Sequence, residues 1–215
     1  MIDPCSKDER DPAQRYGLHM RAKRVLDVTL SLTGLVLTSP VMLVAAVAIC
    51  CDTRGPALFN AVRVGRLGKP FLMYKFRTMV VDAEERLKEL QSRNLGGVML
   101  IRIPHDPRVT RVGRMLRKTS LDELPQLLNV LRGDMSLVGP RPQYPGEVAY
   151  YSDYQRQRLE ATPGITGLWQ VAARQSADFD EWVRLDLEYI RTYSFWLDLK
   201  ILWRTIPAAL RHGGD

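Results

Sequence analysis

The longest apolar run in the chain extends from Val25 to Cys51, VLDVTLSLTGLVLTSPVMLVAAVAICC, with Asp27 as its one charge. About 20 apolar residues suffice for a helix to cross a bilayer, so length permits a span. Ser39-Pro40 interrupts it: an internal proline removes a backbone donor and clashes with the preceding turn, which predicts a break or kink. Basic residues flank both ends, Arg21, Lys23 and Arg24 before it and Arg54, Arg63, Arg66 and Lys69 after it. Positive charge favours the cytoplasmic side. If both ends obey that preference, the segment enters one leaflet, turns at Ser39-Pro40 and returns. A kinked transmembrane helix satisfies the same pattern, and periodicity does not choose between them. A cleaved signal peptide fits less well, because the run is too long and no clear cleavage site follows.

Beyond it, two short β-like runs, Ala57 to Val64 and Phe71 to Met79, flank a Gly/Lys/Pro-rich turn and predict a hairpin. A helix follows from Val80, with Glu84 and Lys88 at i,i+4 spacing. The glycine- and proline-punctuated stretch Arg93 to Arg108 predicts a loop over the working face. Helices are expected at Thr110 to Lys118, again from Ser120, and from about Phe179 to Tyr193. In the last segment Phe195, Trp196, Leu199, Leu202, Trp203 and Ile206 recur at helical spacing, with Asp198, Lys200 and Arg204 between them. A membrane-interface helix and an ordinary core helix both fit that pattern. The expected architecture is α+β, mostly helical. It comprises a polar tail (1–20), an apolar helix-break-helix segment (21–52) and one further domain (53–215) with a small β-hairpin and amphipathic helices, the last of them at a membrane interface or in the core.

Composition narrows the partners. A formal net charge of +7 over 215 residues favours a polyanion: nucleic acid, an anionic membrane or a phosphorylated substrate. Three cysteines without CxxC spacing and three scattered histidines offer neither a disulfide framework nor a zinc site.

The chemistry concentrates at RKTSLDELPQLLNVLRGDMSLVGPRP, where Asp122 and Glu123 are adjacent. Ser120 with Glu123 three residues on reads as a capping box, a purely structural role. The other reading is a reactive pair. Lys75, Arg77, Arg108, Arg111, Arg114, Arg117, Lys118, Arg132 and Arg141 lie around the pair in sequence. Such cations are expected to lower a carboxylate's pKa, and a helix N-terminus favours phosphate. An ionised carboxylate beside a phosphate can attack phosphorus and form an acyl phosphate. Its neighbour can bind Mg²⁺, which prefers carboxylates and substrate phosphates. Arg141 in its PRP turn can offer a planar fork to an anion. Each cation also has a plainer use: Lys75 and Arg77 solvating a strand, Arg141 bracing a turn, the others drawing anionic lipid.

With YKFRTM upstream and PGITGLWQV and LDLEYI downstream, this run resembles the bacterial sugar transferases, the monotopic phosphoglycosyl transferases, over roughly Arg21 to Ile206. The resemblance implies transfer of a sugar-1-phosphate from a UDP-sugar to polyprenyl (undecaprenyl) phosphate, with release of UMP. It places the reaction at the cytoplasmic face of the bacterial inner membrane, the first membrane step of glycoconjugate or exopolysaccharide synthesis. It implies Mg²⁺ and a covalent phosphosugar–aspartate intermediate, with Asp122 as nucleophile and Glu123 as its partner, both candidate metal ligands. It puts Lys75, Arg117, Arg141 and Asp186 near the site, makes the segment bent at Ser39-Pro40 re-entrant, and implies membrane lipid but no nucleic acid as a partner. GLWQV at Gly167 to Val171 looks like members that transfer glucose or galactose, with an N-acetylamino sugar as the alternative donor. Those members usually carry further N-terminal transmembrane helices, where this chain has a short polar tail. Monomer and homodimer are both left open. A non-catalytic basic protein of the membrane surface would explain the charge and the apolar run, but not the phosphate-directed constellation.

Overall fold

The computed structural model describes residues 12–90, 103–173, 176 and 178–211, with 12–19 and 208–211 as backbone only. Most of the expected loop over the working face, and the first eleven residues of the expected tail, lie outside the described residues. Helix α1 (Pro12–Asp52) is long and apolar enough to cross a membrane, and only 11% of its most apolar window is buried. It begins nine residues before the expected boundary at 21 and continues through Pro40 without a gap, so the expected helix-break-helix is one helical run. The reason lies in the side chain before the proline. Pro40 cannot donate to the carbonyl of Val36, and Ser39 Oγ donates to that oxygen instead, at 2.8 Å.

The outer face of α1, including Leu37, Leu43 and Val44, is exposed, whereas Lys23 and Asp27 are buried and Arg24 is half-buried. Lys23 Nζ donates to Asp198 Oδ2 at 2.8 Å and to the Val138 carbonyl at 2.9 Å. Tyr189 OH completes the group by donating to Asp198 Oδ1 at 2.8 Å. Asp27 Oδ1 accepts from the Leu137 amide at 3.0 Å, and Arg24 donates to the Val130 and Leu131 carbonyls at 2.5 and 2.7 Å. At the other end, Ala45 and Ile49 form a core cluster with Phe76 and Leu116. Both ends of α1 are therefore fastened to the same domain.

That domain is built on two small sheets. The hairpin is antiparallel, β1 (Leu58–Val64) with β2 (Pro70–Phe76), registering Phe59 with Lys75 and Arg63 with Phe71. Helix α2 (Ala83–Leu90) follows, preceded by Asp82, whose carboxylate pairs with Arg86 at 2.7 Å. Helix α3 (Arg111–Lys118) is capped by Thr110 Oγ1, which accepts from the Gly113 amide at 2.9 Å. Gly113 permits close approach to the end of the hairpin: a Cβ there would stand 2.1 Å from the Thr78 carbonyl oxygen. Helix α4 (Gln126–Arg132) sends buried Asn129 to the edge of β2, donating to the Leu72 carbonyl at 2.7 Å and accepting from the Tyr74 amide at 3.0 Å.

The second sheet was not expected from the sequence. It is a parallel pair, β3 (Ser136–Val138) with β4 (Gly164–Thr166), each strand only three residues long. A Cβ on Gly164 would lie 2.1 Å from the Gly139 nitrogen, so glycine is required where the backbones meet. Short helices α5 (Pro145–Val148) and α6 (Asp153–Arg156) connect the two strands. After β4 come α7 (Leu168–Ala172), α8 (Phe179–Arg191) and α9 (Phe195–Arg211). The main core gathers Ala61, Met73, Val130, Val138, Tyr189 and Ile201 from the hairpin, α4, β3, α8 and α9. Helix α9 turns Ile201 inward while Trp196 and Trp203 are each 76% exposed, so it has both a core face and an outward aromatic face.

Two outcomes test this packing. Lys23 and Asp198 are 6% and 1% exposed. Asp198→Ala strands the ammonium and is expected to destabilise the detergent-solubilised protein by about 3–5 kcal/mol, whereas Lys23→Met with Asp198→Leu recovers most of the loss. Gly113→Ala forces Thr78 aside and is expected to cost about 1–3 kcal/mol, read as a lower unfolding midpoint.

Candidate active site

The acid pair is positioned by a chain reversal. After α3, Ser120 adopts a left-handed conformation (φ 56°), unusual for a residue with a Cβ, and starts a 3-10 turn at Leu121–Glu123. The Ser120 side chain makes no capping bond. Glu123 instead turns to Lys75 and Arg141, so the expected capping box is not formed. Nor does the pair sit at the start of a long helix: α4 begins three residues later, after Pro125. The dyad therefore lies outside the first turn of any long helix, and side-chain cations supply the positive field.

Lys75 Nζ stands 2.8 Å from Glu123 Oε1 and 3.9 Å from Asp122 Oδ2. Arg141 approaches Glu123 Oε1 at 3.5 Å. Arg117 is held from behind, its Nε donating to Thr78 Oγ1 at 2.9 Å, with Asp122 the strongest charge acting in its favour against burial. Glu123 thus takes the close ion pair, while Asp122, 8% exposed, stays beyond hydrogen-bond reach of Lys75.

The electrostatics reverse one expectation. Flanking cations were expected to lower the Asp122 pKa, but its net shift is upward. Burial is the largest cause, opposed by Lys75, reinforced by the neighbouring Glu123 and opposed again by Arg117 and Arg141. Removing an anion from water outweighs cations that stand near it without touching it.

Two other expected site residues serve different purposes. Arg77 is buried and donates to the carbonyls of Thr53, Arg54 and Gly55 at 2.9, 2.9 and 3.2 Å, satisfying the chain just beyond the C-terminus of α1. In this structure it braces that segment. Asp186 is 1% exposed and paired with Arg158, which also donates to Tyr151 OH at 2.9 Å. Burial pushes its carboxyl up to about 6 even against Arg158. Asp186 is the counterion of Arg158, which lines a crevice beside Pro140, Arg141 and Pro142. The GLWQV segment is likewise engaged elsewhere, with Trp169 stacked on Trp182 at 4.3 Å.

Arg63, in sequence only a charge flanking the apolar run, also belongs to this neighbourhood. Its guanidinium carbon lies 3.2 Å from the centroid of the Tyr144 ring, and Arg141, Glu147 and Glu123 all act on its charge. Strand parity could have found it: residues facing one another across a hairpin share a face, and Phe59, Ala61 and Arg63 lie opposite Lys75, Met73 and Phe71.

No cluster of three or more metal-ligating side chains occurs among the described residues. Two adjacent carboxylates are nevertheless the donor set that suits Mg²⁺, which commonly takes one or two from protein and the rest from substrate phosphates and water. The arrangement can present one buried carboxylate to a phosphorus atom while the other holds cations in place.

Comparison with known proteins agrees in extent and in kind. The profile of the bacterial sugar transferase family matches residues 18–212. The galactosyl transferase CpsE of Streptococcus agalactiae is 47% identical over 89% of this chain and 43% of its own length. The undecaprenyl-phosphate galactose phosphotransferase of Salmonella typhimurium is 45% identical over 89% of this chain and 41% of its own length. The UDP-glucose:undecaprenyl-phosphate glucose-1-phosphate transferase of Caulobacter vibrioides is 45% identical over 93% of this chain and 73% of its own length. The chain thus spans about two fifths of the first two relatives and nearly three quarters of the third. The chain belongs to the bacterial sugar transferase family.

Proposed function

We propose that this protein transfers a hexose-1-phosphate, from UDP-galactose or UDP-glucose, to undecaprenyl phosphate, releasing UMP at the cytoplasmic face of the bacterial inner membrane. The observation that carries the reading is the division within the dyad: Glu123 holds Lys75 at 2.8 Å, while Asp122 is buried and 3.9 Å from the same ammonium. The relatives' names supply the donor and acceptor classes.

In the first half-reaction an Asp122 carboxylate oxygen bonds to the sugar-side phosphorus, the bridging P–O bond breaks, and its electron pair leaves with UMP. Lys75, Arg117 and Arg141 surround the developing charge in a site where burial strengthens their effect. Asp122 and Glu123 would hold Mg²⁺, which when bound neutralises diphosphate charge. In the second half-reaction a phosphate oxygen of the lipid displaces Asp122, which regenerates the free carboxylate.

Membrane attachment rests on α1. Its attachment to one domain at both ends, through Lys23, Arg24 and Asp27 and through Ala45 and Ile49, supports a re-entrant path in which neither end leaves the cytoplasmic side. The exposed tryptophans of α9, with Lys200 and Arg204 alongside, suit the headgroup region of the same leaflet.

With labelled UDP-galactose or UDP-glucose, Mg²⁺ and no acceptor, the protein is expected to acquire label and release one UMP. Asp122→Asn is expected to lose both, with turnover down at least about 10³-fold; near-wild-type transfer by that variant would refute covalent catalysis. A panel including UDP-N-acetylamino sugars identifies the donor. Because burial raises the Asp122 pKa, label formation should fall with acidification at a pH above the ordinary aspartate value. Lys75→Met removes the strongest opposing charge and is expected to move that acid limb to higher pH.

A further inference from the structure

Around the dyad most cations are already committed. Lys75 is bonded to Glu123, Arg117 to Thr78, Arg158 to Asp186 and Tyr151. Arg63 differs. Its Nε is buried and has no hydrogen-bond partner among the described residues, although a buried guanidinium donor is costly to leave unmet. Tyr144 supports the guanidinium from one side, its ring centroid 3.2 Å away. Tyr144 is itself fixed at the start of α5, where its amide donates to Glu147 Oε2 at 2.9 Å.

Arg63 and Lys75 share one face of the hairpin, because Arg63 pairs with Phe71 and Lys75 with Phe59. Four residues of β1 separate those positions, about 13 Å at the rise of a strand. Lys75 reaches Glu123 from one end, and Arg141 reaches the same carboxylate. Arg63, at the other end, is near enough to feel the charges of both Arg141 and Glu123. A diphosphate whose sugar-side phosphorus faces Asp122 needs a second group of donors for its other phosphate. That phosphate gains a negative charge when the bridging bond breaks.

We propose that Arg63, stacked on Tyr144, is a second phosphate-binding arginine that with Arg141 holds the nucleotide-side phosphate of the donor and the departing UMP. The assignment rests on the donor reading above. As Asp122 bonds to the sugar-side phosphorus and the bridging oxygen takes the electron pair, the new charge on UMP is met by the guanidinium of Arg63, held in place by Tyr144. No proton transfer is needed. The lipid acceptor, attacking after UMP has gone, makes no use of this contact.

The test separates the half-reactions in the full chain in detergent. UMP binding is measured by calorimetry, intermediate formation by labelled UDP-sugar without acceptor, and discharge by adding polyprenyl phosphate to the labelled protein. Arg63→Gln is expected to weaken UMP binding and slow intermediate formation by about ten- to a hundredfold, with discharge at the wild-type rate. Arg63→Lys keeps the charge without the planar fork, so a smaller loss in the same two readouts is expected; it carries the test if the glutamine variant does not fold. Unchanged UMP affinity in the folded variants, or an equal loss in both half-reactions with a lowered unfolding midpoint, would overturn the assignment in favour of a bracing role. If UMP binding depends on Arg63 but wild-type protein never acquires label, the assignment stands and the covalent reading fails.

Discussion

A lysine inside an apolar helix must find an anion or lose its charge, and Lys23 finds Asp198. That ion pair, buried with Tyr189 and the Val138 carbonyl around it, is the constraint on which the rest of the molecule depends. It joins α1, β3, α8 and α9, elements from the start, the middle and the end of the chain. Placing two charges in a low-dielectric setting gains little net stability. Its value is geometric, because a shift of α1 that parts Lys23 from Asp198 strands two buried charges. Arg24 on the α4 carbonyls and Asp27 on the Leu137 amide repeat the logic one turn apart. Helix α1 is thereby held in register with α4, the next α-helix after the dyad.

From that anchor the site is reached in two steps. Asn129 of α4 grips the edge of β2 with both ends of its amide, fixing the strand that carries Lys75 against the turn that carries Asp122 and Glu123. Gly113 then lets α3 close on Thr78, whose hydroxyl orients Arg117. The side chains at the chemistry are long and flexible, but the backbone positions they start from are fixed by buried amides and a missing Cβ. Precision at the dyad therefore comes from groups that are not part of it.

What the sequence disclosed follows from how local each signal is. The apolar run, the hairpin, α3 and the α8–α9 pair announce themselves by periodicity within one segment, and the structure contains all of them. The parallel β3–β4 pair was illegible because its strands have three residues each and their partnership depends on Gly139 meeting Gly164 across the chain. Ser120 and Glu123 matched a capping box in spacing, yet the left-handed serine sends Glu123 to Lys75, a partner 48 residues away. Asp122, Glu123, Lys75, Arg117 and Arg141 do converge. Arg77 and Asp186 are bonded elsewhere among the described residues: the first donates to carbonyls beyond α1, and the second pairs with Arg158. Charge in a motif reveals that a counter-charge is needed, not which one. Asp198 shows the same limit, since in sequence it reads as a solvated residue of an amphipathic helix and in the fold it is the counterion of Lys23.

The upward shift of Asp122 bears on why two acids are adjacent at all. A carboxylate that formed a tight salt bridge would be ionised but poorly nucleophilic, since its charge would already be neutralised. A buried carboxylate with no cation nearby would take up a proton. The arrangement here avoids both. Glu123 occupies Lys75 at 2.8 Å and keeps it 3.9 Å from Asp122, close enough to favour the anion and too far to bond it. Glu123 also opposes ionisation of Asp122, being a like charge next to it. An anionic substrate that drew Lys75 and Arg141 toward itself would loosen their hold on Glu123, leaving two acids facing one cation-rich ligand. The dyad is then a balance that donor binding changes: one acid sets the position of the cations, and the other uses their field.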